Sequence, residues 1–211
     1  LAVPDWLDAA ILISDEQTSG NFDLAWDMDD FWVFGYGSLM WNPGFAFEER
    51  QQARLHGYRR SLCISSSVYR GTEEKPGLVL GLERGGSCLG VAFRVQGKDQ
   101  DSVMAYLRER ELVTNVYKER VVAIAFADGR RGSAVTYVAD PAHEQYIGGL
   151  AVAEAASIVA TASGRSGPNT DYVFNTVQHL QDMGIRDSLL ESIAANVGTL
   201  VVQPAEGVPV P

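Results

Sequence analysis

From Phe31 to about Ala139 the apolar residues fall in short runs of strand length, and beyond that they recur at helical spacing. Residues 31–34, 53–65, 78–83, 88–95, 120–127 and 133–139 are rich in β-branched, aromatic and other apolar side chains, which predicts six strands. Gly85-Gly86 and Asp128-Gly129 separate consecutive runs. Residues that tolerate positive φ make tight hairpins there, so much of the sheet is expected to be antiparallel. One helix interrupts the strands at about 99–112, with Asp99 or Asp101 placed to cap it. Three more helices are predicted after the last strand. Val152, Ala155, Ala156 and Val159 mark the first; Val173, Val177 and Leu180 mark the second, stopped by Gly184; Leu189, Leu190, Ile193 and Val197 mark the third, stopped by Gly198. Six strands suit a barrel or a strongly curled sheet, and the class is α+β rather than doubly wound.

The chain has 211 residues and no polar, Pro/Ser-rich internal linker, which favours one domain over residues 31–200. Residues 1–30 read as an extension laid on the body of that domain through a short helix at Ala9 to Ile13, and residues 201–211 as an irregular tail. With 46% apolar and 21% charged residues, and no run near the roughly 20 apolar residues of a membrane helix, the composition is that of a soluble protein without a membrane partner. A net charge of −10 without a Lys/Arg stripe argues against nucleic acid. Cys63 and Cys88 sit in apolar runs and read as buried thiols, and Leu1-Ala2-Val3-Pro4 has none of the basic and apolar character of a signal peptide, so cytoplasm is the expected compartment. The scattered His56, His143 and His179, without Cys-x-x-Cys or His-Glu-x-x-His, give no metal site and no cofactor motif. The oligomeric state stays open.

Candidate chemistry begins where the first strand ends, at Phe34-Gly35-Tyr36-Gly37-Ser38-Leu39. Two glycines around an aromatic residue let the backbone turn sharply and bring successive N–H groups to a ligand, which makes a cradle for an anion or oxyanion. A dinucleotide fingerprint fails because Met40 stands where its third glycine belongs and Trp41-Asn42-Pro43 follows in place of a helix. A nucleophile elbow fails because Tyr36 and Met40 occupy its glycine positions, so Ser38 is not read as a nucleophile. On the interrupting helix Val103, Leu107 and Glu111 are spaced i, i+4, i+8, which sets the carboxylate on the apolar side. Arg108, Glu109 and Arg110 are expected to face solvent. A desolvated carboxylate is a better general base than an exposed one, although a helix-end glutamate that turns back to water or pairs with Arg110 fits the same pattern.

Residues Val33 to Pro43 resemble the signature of the ChaC-like γ-glutamylcyclotransferases, which act on glutathione, and Tyr106-Leu107-Arg108-Glu109-Arg110-Glu111 is similar to that family's Tyr-Leu-x-x-Arg-Glu. The similarity continues in Tyr69-Arg70-Gly71, Lys75-Pro76-Gly77, Thr114, Tyr117, Ala162 to Gly164, Gly167, Asn169, Tyr172 and Phe174, with Asn115 where relatives commonly have glycine. The resemblance implies a γ-glutamylcyclotransferase-like fold, a small mixed but mainly antiparallel β-barrel with flanking helices. It also implies glutathione as the substrate, no cofactor, and Glu111 as the catalytic group. Phe34, Gly35, Tyr36, Gly37, Ser38 and Leu39 would hold the γ-glutamyl unit, and Arg70 and Tyr117 would contact substrate carboxylates or fix Glu111. Asn169 or Thr170 is expected to cap the helix at Asp171. A cyclotransferase for other γ-glutamyl amino acids or amines, and a partner-binding protein of the same fold, are the alternatives.

Overall fold

The computed structural model describes residues 30–202; the reading of residues 1–29 and of 203–211 lies outside them. Five strands, β1 (Phe31–Gly35), β2 (Glu49–Ser66), β3 (Gly77–Val95), β4 (Tyr117–Phe126) and β5 (Arg131–Ala139), close into a barrel in the order β1-β3-β2-β4-β5. All neighbours are antiparallel except β5 and β1, whose parallel pairing at Trp32↔Ala134 and Val33↔Val135 closes the barrel. Helix α1 (Gln100–Glu111) lies between β3 and β4, and α2 (Val152–Thr161), α3 (Asn169–Asp182) and α4 (Ser188–Val202) follow β5. A two-stranded ribbon, β6 (Ser163–Gly164) and β7 (Gly167–Pro168), bridges α2 and α3.

The barrel has five strands where six were expected, because Gly85-Gly86 makes no hairpin. β3 runs through the pair, and the register against β2 slips between His56 and Tyr58, so Gly57 opposes both glycines. Gly57, Gly85 and Gly86 all have positive φ, the backbone of a bulge that bends a long hairpin rather than ending it. Asp128-Gly129 is the expected tight turn, with Gly129 at φ 89. β1 lies against β3 only because position 90 is glycine; a Cβ there would run into the Gly35 carbonyl and the Phe34 ring.

Side chains alternate along β1. Phe34 enters the main core with Leu55, Leu82, Phe93 and Ile124, onto which α2, α3 and α4 pack, whereas Phe31 and Val33 face α1. There Val103, Met104 and Leu107 bury the apolar stripe of α1 against Val95, Val135 and Tyr137. Neither Asp99 nor any other side chain caps α1; the Ser102 hydroxyl bonds the Asp99 carbonyl instead. α4 continues through Gly198 to Val202, so that glycine is no stop signal, while Gly184 (φ 69) follows α3 as expected. Cys63 and Cys88 are free and buried, and burial pushes their thiols up to about 12 and about 11. No helix among the described residues is long and apolar enough to cross a membrane.

Candidate active site

β1 delivers the chain directly into a 3-10 turn at Ser38–Met40. The Met40 N–H donates to Gly37 O at 2.9 Å and the Asn42 N–H to Ser38 O at 2.9 Å. A helical turn leaves its first N–H groups without partners. Among the described residues those of Gly37, Ser38 and Leu39 have no acceptor. From behind, Arg60, itself buried, holds the turn: its Nε donates to Tyr36 O at 2.5 Å, its Nη2 to Leu89 O at 2.9 Å, and its Nη1 meets Asp187 at 2.7 Å. A buried guanidinium is tolerated when every face is paired in this way.

α1 brings Glu111 to the same place. It is the last residue of the helix and continues the Val103/Leu107 row one turn on, so the apolar stripe that docks α1 also aims the carboxylate. The side chain is 18% exposed. Desolvation raises its pKa above the usual carboxylate range, and the Arg110 guanidinium, 3.2 Å away, opposes that shift. Both sequence readings of this residue therefore hold in part: Glu111 is inward and it is also paired with Arg110. Arg110 itself does not face solvent as expected. Its Nη1 donates to Asn42 O at 2.8 Å and to the Tyr106 hydroxyl at 2.9 Å, and its Nη2 to Ser38 Oγ at 2.9 Å.

Tyr36, Gly37, Ser38, Leu39, Leu80, Glu111, Tyr117 and Tyr172 enclose a cavity of about 90 Å3. Its far wall is a second bulge. The β2–β3 register slips between Ser61 and Ile64, so two residues of β2 oppose Leu80 and its backbone drops out of the ladder. The two phenols restore those bonds: Tyr117 donates to Leu80 O at 2.7 Å, and the Leu80 N–H donates to the Tyr172 oxygen at 3.1 Å. Burial holds Tyr36 and Tyr117 well above the ordinary phenol pKa and takes Tyr172 to about 12, so all three stay protonated at neutral pH. The Tyr36 hydroxyl has no partner among the described residues.

The structure thus brings Tyr36, Gly37, Ser38, Leu39, Glu111 and Tyr117 together and leaves Phe34, Gly35 and Arg70 away from the cavity wall. Phe34 is core, and Gly35 supports the turn from below, where a Cβ would press on Leu39 at 3.1 Å. Arg70 spends Nη1 on Ser166 O at 2.6 Å and stacks on the Tyr172 ring at 5.3 Å, which steadies the outer face of that phenol. Leu80 and Arg110 were not read as site residues. Asn169 does not cap α3; fully buried, it clamps β3 by accepting from Leu78 N–H at 2.6 Å and donating to Leu78 O at 2.8 Å. Asn115 has φ 57, a left-handed turn that asparagine tolerates. No cluster of three His, Cys, Asp or Glu groups suited to a metal occurs among the described residues.

Residues 31–200 match the family described as ChaC-like protein. The chain belongs to this family. A relative of the ChaC-like chain, the glutathione-specific γ-glutamylcyclotransferase of Escherichia coli K12, is 33% identical over 201 residues, covering 93% of this chain and 87% of that protein. The mouse glutathione-specific γ-glutamylcyclotransferase 1 is 33% identical over 181 residues, covering 83% and 81%. The fold is likewise similar to that of the crystal structure of a yeast γ-glutamyl cyclotransferase specific to glutathione, with a TM-score of 0.72, 24% identity, and coverage of 82% of this chain and 100% of that one.

Proposed function

We propose that this ChaC-like chain is a glutathione-specific γ-glutamylcyclotransferase that releases 5-oxoproline and Cys-Gly, acting in the cytoplasm. The observation that carries the reading is a single carboxylate, desolvated at Glu111, on the wall of a small cavity that is also lined by the turn with unpaired backbone N–H groups. Names of relatives that are about one-third identical over most of the chain support the choice of substrate.

The substrate's α-amino group attacks its own γ-carbonyl carbon; one C–N bond forms, the C–N bond to the cysteine breaks, and no electrons leave the substrate. A free α-amino group has a pKa of about 7.7–8.0, so a base must take its proton before attack at neutral pH. Glu111 takes it and returns it to the departing nitrogen, a service worth about 10²–10⁴-fold in rate. The N–H groups of Gly37, Ser38 and Leu39 stabilise the charge that grows on the γ-carbonyl oxygen, each worth about 2.7–4 kcal/mol in comparable sites. Neutral Tyr36 and Tyr172 hydroxyls supply further donors for the γ-glutamyl unit.

The test is to incubate the purified protein with reduced glutathione and detect 5-oxoproline and Cys-Gly by mass spectrometry, with Glu111→Gln alongside. Product from the wild type alone supports the reading. Turnover confined to other γ-glutamyl amino acids or amines would move the specificity, and silence on all of them would favour a partner-binding role.

A further inference from the structure

Glu111 and Tyr117 belong to two cavities at once. Besides the cradle cavity they line a larger one of about 300 Å3, beside the end of β2 and the turn after α1, at the lower end of the range for small-molecule sites. Ile64 and Val116, each 2% exposed, give it an apolar floor, and Val68, Tyr69 and Val113 line it as well. Those last three are 48%, 58% and 69% exposed. Large apolar side chains left open around one cavity mark a place where something apolar binds. We infer that this cavity takes the sulfur substituent of glutathione thioethers, so that apolar S-alkyl conjugates of glutathione are further substrates of the same site. The inference extends the glutathione reading and rests on it.

The occupant follows from continuity with the candidate active site. With the γ-glutamyl unit in the cradle, the scissile nitrogen lies at Glu111, a residue of both walls, and the cysteinyl residue that begins at that nitrogen enters the larger cavity. The sulfur is three bonds beyond the nitrogen, so a group carried on it starts among the apolar side chains. A bare thiol covers little of a space of about 300 Å3, against about 90 Å3 for the cradle cavity.

Charge points the same way. Arg110 is the one Lys or Arg among the described residues of this wall. Its three nitrogens are taken by Glu111, by the Asn42 carbonyl with the Tyr106 hydroxyl, and by Ser38 Oγ. Burying a carboxylate without a partner is costly, so the glycine carboxylate of the substrate stays in water and the interior is left to the cysteinyl side chain. The reaction needs no new step. The α-amino nitrogen bonds to the γ-carbonyl carbon, the bond from that carbon to the cysteinyl nitrogen breaks, Glu111 passes the proton across, and the carbon–sulfur bond is untouched. The products are 5-oxoproline and S-alkyl Cys-Gly.

The experiment measures kcat/KM of the purified protein for glutathione and for its S-methyl, S-ethyl, S-propyl and S-butyl thioethers, following 5-oxoproline by mass spectrometry. A fully buried methylene is worth up to about 4-fold, so kcat/KM should rise about 2- to 4-fold for each carbon added from S-methyl to S-butyl. Val68→Ser, Val113→Ser and the two combined remove apolar surface at exposed positions outside the cradle and leave the charge around Glu111 unchanged. They should bring the gain per carbon down toward 1, most fully in the combined variant, while kcat/KM for glutathione stays within about 2-fold of wild type. Either single variant serves if the combined one does not fold. A flat series on the wild type, thioethers left intact while glutathione is consumed, or a gain that survives in the serine variants overturns the assignment and leaves the cyclotransferase reading intact. Failure on glutathione and on every thioether overturns both.

Discussion

Arg110 Nη2 donates to Ser38 Oγ at 2.9 Å, a bond between residues 72 positions apart that ties the end of α1 to the turn after β1. The same guanidinium lies 3.2 Å from Glu111 and bonds the carbonyl of Asn42. One side chain therefore fixes the distance between the candidate base and the N–H cradle, and it also limits how far burial can raise the carboxylate's pKa. The planar fork suits this task because its donors leave in several fixed directions.

Removing that side chain should shift the pH profile in a definite direction. Glu111 must be ionised to act, so kcat/KM falls as pH drops through its folded pKa. In Arg110→Met, desolvation acts without the opposing cation, so the acid limb moves to higher pH. The lost charge-assisted bonds should also lower kcat by about 10- to 100-fold. Arg110→Lys should restore the position of the limb more fully than the rate, because it returns the charge without the fork. A limb unmoved in Arg110→Met would show that the pair does not tune the base.

Glu111→Gln should lose about 10²–10⁴-fold in rate and yet lose no thermal stability at pH 7. The sign follows from linkage. The folded pKa is raised above the unfolded value, so the native state holds its proton more tightly. The cost of ionising the buried group is absent below the unfolded pKa and fully present above the folded one. Glutamine removes that cost, so the Tm of the variant relative to wild type should be more favourable at pH 7 than at pH 4. Melting curves at the two pH values measure it, and the opposite order would mean that the ion pair with Arg110 outweighs desolvation.

The parts of the site that were legible in sequence are those set by local backbone chemistry. Gly35 and Gly37 mark the turn, and helical spacing offers Glu111 to the buried row of α1 while leaving open the pairing with Arg110 that the structure also contains. What stayed hidden depends on register. Gly85-Gly86 signals positive φ equally well for a hairpin and for a bulge, and only pairing with Gly57 across the sheet decides it. Leu80 joins the wall because a bulge removes its ladder partner, and nothing near it in sequence announces that. Arg110 looked like a surface residue from its helix neighbours, yet its partners come from the Asn42-Pro43 turn, far away in the chain. Asn169 showed capping chemistry, but the backbone it satisfies belongs to β3 rather than to its own helix.

Asn169→Ala should be among the most destabilising substitutions away from the barrel interior. The residue is fully buried, and its loss orphans both the N–H and the carbonyl of Leu78. At about 1–3 kcal/mol for each unsatisfied group, the expected loss is about 2–6 kcal/mol, read from the shift of a urea midpoint at constant m. Asn169→Asp keeps the bond to the Leu78 N–H and turns an acceptor toward the carbonyl, so it should recover little. A loss near zero for the alanine variant would mean that water replaces the clamp.

The two phenols that flank Leu80 should separate by what remains of their protons. Tyr117 donates its proton to Leu80 O, so it has none left for a ligand, whereas Tyr172 accepts from the Leu80 N–H and keeps its own proton to give. Each phenylalanine variant strands one buried backbone group and should lose about 1–3 kcal/mol of stability. Their kinetics should differ. Tyr172→Phe removes a donor that faces the cavity and should raise KM for glutathione by about 5- to 10-fold, the worth of one neutral hydrogen bond. Tyr117→Phe should leave KM closer to wild type and express itself mainly as lost stability. Steady-state kinetics and urea melts on both variants decide the matter: equal effects on KM would show that the orientation of the Leu80 peptide groups does not set which hydroxyl is free for substrate.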